Sequence, residues 1–334
     1  MPGRADVLVV SIDSTGGWRT AAEELVAGLR RAGAAAELIR TGPVPRVRTF
    51  ALTDYTQARL ARRVAQRGIE EHDPRAVIYC SITAALLWPR PGAIFLDATA
   101  AENRPGRHGV WQRPVERRRL AEAPLLLPWS ADSLRAAPQN HASAIILSPP
   151  IELEAEPPSL QARDIAALTY AGDPVKRRLD HILSAWEQAR RPDETLLVCG
   201  LEGFQPPPGV RSAGRVAHDE FRALLRRARA FLAAPRREDH GIAPLEALAC
   251  GCQLVTAPAP GAYPALRIAR EADPRLVSAD LPAAIRLALD EPLEEYASQV
   301  ARRLAPFGYE AVDRQLADVI LPRLLSGTRA AIRA

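Results

Sequence analysis

Hydrophobic residues in this chain fall into short solid runs, separated by stretches in which they recur every three or four positions. "DVLVVSID" (6–13) is apolar almost throughout, as a strand buried on both faces of a parallel sheet must be. After "STGGW" (14–18), "RTAAEELVAGLRRAG" (19–33) carries the spacing of an amphipathic helix. The same reading predicts strands near 35–40 and at 76–82, 93–98, 125–130 and 143–148, with helices near 54–68 and 112–122. This alternation is the rhythm of a doubly wound α/β sheet.

"PPIELEAEPPSLQARD" (149–164), with four prolines and three glutamates, interrupts the rhythm and reads as an interdomain linker. A second series follows. Strands are expected at 166–172, 195–200, 211–217, 230–235 and 253–258, and helices at 177–190, 218–229 and 243–251. Residues 281–327 are expected to be mainly helical. The predicted organisation is an N-terminal Rossmann-like domain over 1–150, a linker over 151–164, a second Rossmann-like domain over 165–305, and C-terminal helix over 306–334 crossing back to the first domain. Open α/β sheets bind ligands outside the carboxyl ends of their strands, so two such sheets are expected to face each other across a cleft.

Composition changes this picture little. The chain has 334 residues, 47% hydrophobic and 25% charged, with a formal net charge of +5, ordinary values for a globular protein of two domains. Lysine occurs only at Lys176; every other cation is arginine, and alanine and proline are abundant, the signature of a GC-rich coding sequence. No aromatic-plus-basic module of a nucleic-acid binder is present, and the charge suits a phosphorylated ligand or peripheral contact with an anionic membrane better. No apolar run approaches a membrane span, and the N-terminus enters a strand without a leader pattern, so a cytoplasmic protein is expected. Cys80, Cys199, Cys250 and Cys252 do not make a zinc spacing and read as small buried thiols.

The most informative stretch is "PRREDHGIAPLEALACGCQLVTA" (235–257). Glu238 lies in a loop and Glu246 eight residues later, at the start of an apolar helix that stops at Gly251. A loop entering a helix N-terminus offers free N–H groups and the positive end of the dipole. Pro244 is tolerated in a first turn, and Gly241 allows close backbone approach. A carboxylate at Glu246 can accept from two adjacent hydroxyls. The stretch resembles the nucleotide-sugar signature of the retaining GT-B glycosyltransferases, the large family 4 group with its mannosyltransferase-like members. Pro235, Glu238, Asp239, Gly241, Ile242, Pro244, Glu246, Ala247, Ala249 and Gly251 match, whereas Arg236, His240 and Gln253 depart from the pattern.

That resemblance implies that Glu246 holds the ribose and Glu238 the donor sugar, with Asp239, His240, Gly241 and Ile242 around the donor. "YAGDPVKRRLDHILSAW" (170–186) resembles the family's strand–loop–helix that brings cations to the diphosphate. Gly172, Leu179 and Asp180 fit, Asp173 replaces an arginine, and counting back from Asp180 gives Arg177 the family's lysine position, beside Lys176. Gly16 and Gly17 resemble the N-terminal glycine loop, and the backbone of Gly214 to Val216 the base-flanking segment. Where the family often has a histidine, Leu96 or Asp97 stands here, leaving Asp97, Asn103 and His108 as candidates for the acceptor and sugar side.

The resemblance thus implies retaining transfer of a sugar from a UDP- or GDP-linked donor to a hydroxyl acceptor, lipid-linked or small. It calls for no cofactor, since the nucleotide sugar is a substrate. It also calls for no metal, and no Asp-x-Asp occurs in the chain. Two other readings stay open: a non-catalytic nucleotide-sugar-binding subunit, and a nucleotide-sugar epimerase of the same fold.

Overall fold

The computed structural model describes residues 4–42, 47, 49–104, 106–135, 137 and 143–331, excluding the side chains of 327–331. The chain forms two units, Met1–Pro150 with Tyr309–Ala334, and Ile151–Gly308. Residues 332–334, the end of the expected C-terminal helix, lie outside the described residues.

The first unit holds a parallel sheet of β1 (Val7–Ser11), β2 (Ala36–Arg40), β3 (Ala76–Cys80), β4 (Ala93–Leu96) and β5 (Leu126–Pro128), in the order β2-β1-β3-β4-β5. All five residues of β1 are buried, which is why its sequence shows no alternation. Leu8, Val10 and Ile12 share a core with Ala58, Ala61 and Ala65 from helix Phe50–His72. The stretch 143–148 supplies only an isolated bridge, Leu126 to Ala144, rather than a strand. Helix Gly16–Arg31 begins earlier than its apolar spacing suggested. A Cβ at its residue Gly28 would stand 2.5 Å from the tip of the Leu316 side chain, which packs directly on the glycine. Close by, Arg31 donates to both carboxylate oxygens of Asp313 at 2.6 and 2.8 Å. The C-terminal helices Tyr309–Gln315 and Leu321–Ala331, joined by a π-helical turn at Leu316–Ile320, are thereby bound into the first unit.

The second unit holds β6 (Ile165–Tyr170), β7 (Leu196–Cys199), β8 (Val210–Gly214), β9 (Ala228–Ala233) and β10 (Gln253–Thr256), parallel and ordered β10-β9-β6-β7-β8. Trp186 sits at the centre of its core, fully buried, with its indole N–H donated to the Gly209 carbonyl at 2.9 Å. The proline-rich stretch after Pro150 is fastened to this unit by buried arginines. Arg163 donates to the carbonyls of Pro158, Ala228 and Cys250, and Arg222 to Glu154 at 2.7 Å. All four cysteines are free and buried, and burial pushes the Cys199, Cys250 and Cys252 thiols up to about 12. No helix among the described residues is long and apolar enough to cross a membrane.

Candidate active site

In the second sheet β6 pairs with both β7 and β9, so the strand order reverses there. Such a switch point leaves a crevice at the carboxyl ends of the strands. Two loops with the chemistry-bearing residues open into it. From β6 the chain passes Gly172 and Asp173 into the short helix Pro174–Arg177, where the Asp173 side chain caps the Lys176 amide at 3.0 Å. Arg178, in the left-handed region with φ of 51°, breaks this turn from helix Leu179–Ala189. The helix expected over 177–190 therefore starts at Leu179, after a separate turn, and Arg177 is half-buried while Lys176 is exposed. From β9 the chain passes Pro235 to Gly241 and enters helix Ile242–Ala249.

The loops are tied together. The Arg236 amide donates to the Lys176 carbonyl at 3.0 Å and its Nε to the Val175 carbonyl at 3.2 Å. Arg177 forms an ion pair with Glu238, whose side chain is only 5% exposed. Burial pushes the guanidinium down from its ordinary value, yet an arginine stays charged in a protein, and the Glu238 carboxylate is its counter-ion. Asp239 pairs with Arg237 at 2.6 Å. His240 is buried, and desolvation brings it down to about 3, so it is a neutral imidazole. A small open pocket lies over these strand ends, lined among others by Tyr170, Arg177, Ala234, Pro235 and Pro244.

Gly241, at φ of 81°, precedes the helix and provides no side-chain cap. The first-turn amides keep their anion-binding capacity, and Ile242 is the first helical residue. Glu246 is 7% exposed. Its Oε1 lies 2.6 Å from Nε2 of His218, the first residue of helix His218–Arg227. This partner was not singled out in the sequence, although it stands two residues beyond Val216. Farther along the sheet edge, Gly214 has φ of 67° and accepts from the Gly200 amide at 2.7 Å, and the Arg215 amide donates to Glu202 at 3.1 Å. Gly172 is packed against Tyr170, whose hydroxyl would stand 2.5 Å from an added Cβ.

Two further residues shape the Glu238 loop and gave no signal in the sequence. Gly261, at φ of 110°, lies so close to the Glu238 carbonyl that a Cβ would be 2.1 Å from it. The buried Tyr263 donates its amide to that same carbonyl at 3.2 Å.

The remaining candidates belong to the first unit. Gly16 and Gly17 are not a loop but the first turn of helix Gly16–Arg31, capped by the Thr15 side chain, which accepts from the Trp18 amide at 3.2 Å. Gly16 has open space where a Cβ would stand, so neither crowding nor strain dictates glycine there. Asp97 follows β4 and accepts from the Ala98 amide at 2.8 Å. Asn103 ends the short helix Ala100–Asn103, and His108 packs its ring edge-on to Phe50 at 5.8 Å. The segment from 97 to 109 is anchored from behind. Arg104 donates to both oxygens of buried Asp54 at 2.9 and 3.1 Å, and buried Glu116 accepts the Ala100 amide at 2.6 Å. Burial raises the Glu116 carboxyl to about 7.

Known proteins share this fold. Residues 177–316 match the family model described as Glycosyl transferase-like. The whole chain is similar in fold to sucrose-phosphate synthase from Thermosynechococcus elongatus, at 16% identity and a TM-score of 0.73, covering 99% of this chain and 100% of that one. HepE from Anabaena, solved with UDP and glucose, is 16% identical over 95% of this chain and 99% of its own, with a TM-score of 0.66. The α,α-trehalose 6-phosphate synthase of Burkholderia multivorans is 12% identical, covers 99% and 100%, and has a TM-score of 0.67. No curated protein matches the sequence. The fold is GT-B, two parallel-sheet α/β domains, and together with the family-model match it supports an enzyme of the glycosyltransferase type.

Proposed function

We propose that this chain transfers a hexosyl group from a nucleoside-diphosphate sugar to a hydroxyl acceptor, with retention and without a divalent metal. The observation that carries the reading is the switch-point crevice itself. It brings a cation, Arg177, and the buried carboxylates Glu238 and Glu246 to one uncapped helix start. HepE, solved with UDP-glucose as well as with UDP and glucose, supports a uridine or similar nucleotide as the donor's carrier.

In this reading the uncapped amides before Glu246 and the Arg177 guanidinium receive the diphosphate. Glu246 accepts from the ribose hydroxyls, Glu238 orients Arg177 and faces the sugar, and the backbone of Gly214 to Val216 borders the base. The bond between the anomeric carbon and the diphosphate oxygen breaks, with its electron pair leaving on the diphosphate. The acceptor oxygen bonds to the same face of that carbon, and its proton passes to the departing phosphate oxygen. The protein's part is to hold the groups in place and to stabilise the charge growing on the diphosphate. Asp97, Asn103 and His108 are proposed for the acceptor and sugar side, and Lys176 as an exposed second cation.

A screen of UDP-, GDP- and ADP-sugars by thermal shift finds the donor. A bound donor raises stability by about 2.7 kcal/mol at one hundred times its dissociation constant. The anomeric configuration of the transferred sugar, read by proton NMR, then tests retention. An inverted product, or no stabilisation by any donor, contradicts the proposal.

A further inference from the structure

The His218–Glu246 contact has a consequence for donor binding that rests on the reading of Glu246 as the ribose acceptor. We propose that His218 is a positioning residue that occupies one oxygen of the Glu246 carboxylate in the free protein and yields it to the ribose, so that donor binding is coupled to release of a proton.

The geometry carries this. Nε2 of His218 is 2.6 Å from Glu246 Oε1, while Glu246 is 7% exposed and held by its helix. The His218 side chain is 52% exposed and opens its helix without a side-chain cap, so it is the partner free to move away. Two adjacent ribose hydroxyls are best met by one carboxylate oxygen each, and Oε1 is the one the imidazole already uses.

The charges around His218 fix the direction. Glu246 faces it from helix Ile242–Ala249, and Asp219 and Arg222 from its own helix. Arg222 is in turn paired with Glu152 and Glu154 on the preceding segment, which offsets its repulsion. The hydrogen bond to Glu246 is the largest influence and holds the imidazolium above its ordinary value. When ribose displaces the ring, that support is lost and the value falls back. Between the two values the free protein binds a proton that the complex does not, so affinity rises with pH there. One proton limits the slope to about tenfold per pH unit. Below the ordinary histidine value both states are protonated and the slope flattens; above the raised value both are neutral and it flattens again.

The test is calorimetric titration of the full chain with UDP-glucose and with GDP-glucose between pH 5.5 and 8.5. The phosphates of these donors are diesters and do not titrate in that range. Expected are an affinity that climbs with pH, and a binding heat that depends on buffer ionisation with up to one proton released. His218→Gln keeps a hydrogen-bond donor that does not titrate, and its affinity should be flat with pH. His218→Ala leaves Oε1 open and should bind tighter than the parent at pH 6. Binding by the parent that is independent of pH, or a slope that survives in His218→Gln, overturns the inference alone. If no sugar of the UDP-, GDP- and ADP-linked screen binds at any pH, the donor-site reading falls and the inference with it.

Discussion

Removing Arg177 should cost this protein stability as well as any activity, and the two losses can be separated. The side chains of Arg177 and Glu238 are 22% and 5% exposed, so they form a largely desolvated pair at the point where the two loops meet. Arg177→Met leaves the Glu238 carboxylate as an uncompensated buried charge. Breaking a buried pair in this way costs about 3–5 kcal/mol, a large part of the roughly 5–15 kcal/mol that holds a domain folded. Glu238→Gln in the same chain removes the stranded charge, and the double variant should regain most of the loss, since neutral replacement of a buried pair is often near neutral. Urea unfolding of the parent, both single variants and the double variant gives the coupling energy directly. Arg177→Met as stable as the parent, or a double variant no more stable than that single, would refute the claim that the pair holds the loops together.

Other expectations follow from local geometry. Glu116, raised from 4.5 to about 7 by burial, favours a folded state in which it is protonated. That contribution is complete below pH 4.5 and lost as pH rises through about 7. Glu116→Gln keeps an acceptor for the Ala100 amide without the charge, so it should be more stable than the parent at pH 8.5 by up to about 3 kcal/mol and equal to it near pH 4.5; a melting-temperature difference that does not change with pH contradicts this. Gly261→Ala places a Cβ against the Glu238 carbonyl at a backbone angle that L-residues avoid, and should lower stability by about 1–3 kcal/mol and weaken donor binding; a variant that melts with the parent would show that the loop yields. Sugar transfer should persist in chelator, and activity that disappears with EDTA and returns with magnesium would reject the metal-free chemistry.

The sheets were readable because solid apolar runs such as 6–13 and the buried alternation of strand and helix leave no other use for those residues. The loop-to-helix entry at Glu238 and Glu246 was readable because its spacing, Pro244 and Gly241 each serve the same construction. What stayed hidden depended on contacts between distant residues or on backbone angles. Nothing in the composition of "KRRLD" marks Arg178 as left-handed, yet that angle sets Arg177 apart from Lys176. Gly16 and Gly17 suggested a loop, but Thr15 caps them into a helix, a choice decided by one side chain. His218 meets Glu246 across 28 residues of sequence, a pairing that only the packing of two helices reveals. Gly261 is demanded by the nearby Glu238 carbonyl and by its own φ of 110°, and an isolated glycine after two prolines reads as any turn.

The central claim is that the crevice at the β6/β9 switch point holds a nucleotide sugar through Glu246. Calorimetric titration of the parent and of Glu246→Ala with the donor selected by the screen, at pH 8, tests it most directly. Loss of a charged acceptor should weaken binding by about 1.5–3 kcal/mol, with the variant's unfolding transition unchanged. Equal donor affinity in the two proteins would contradict the account.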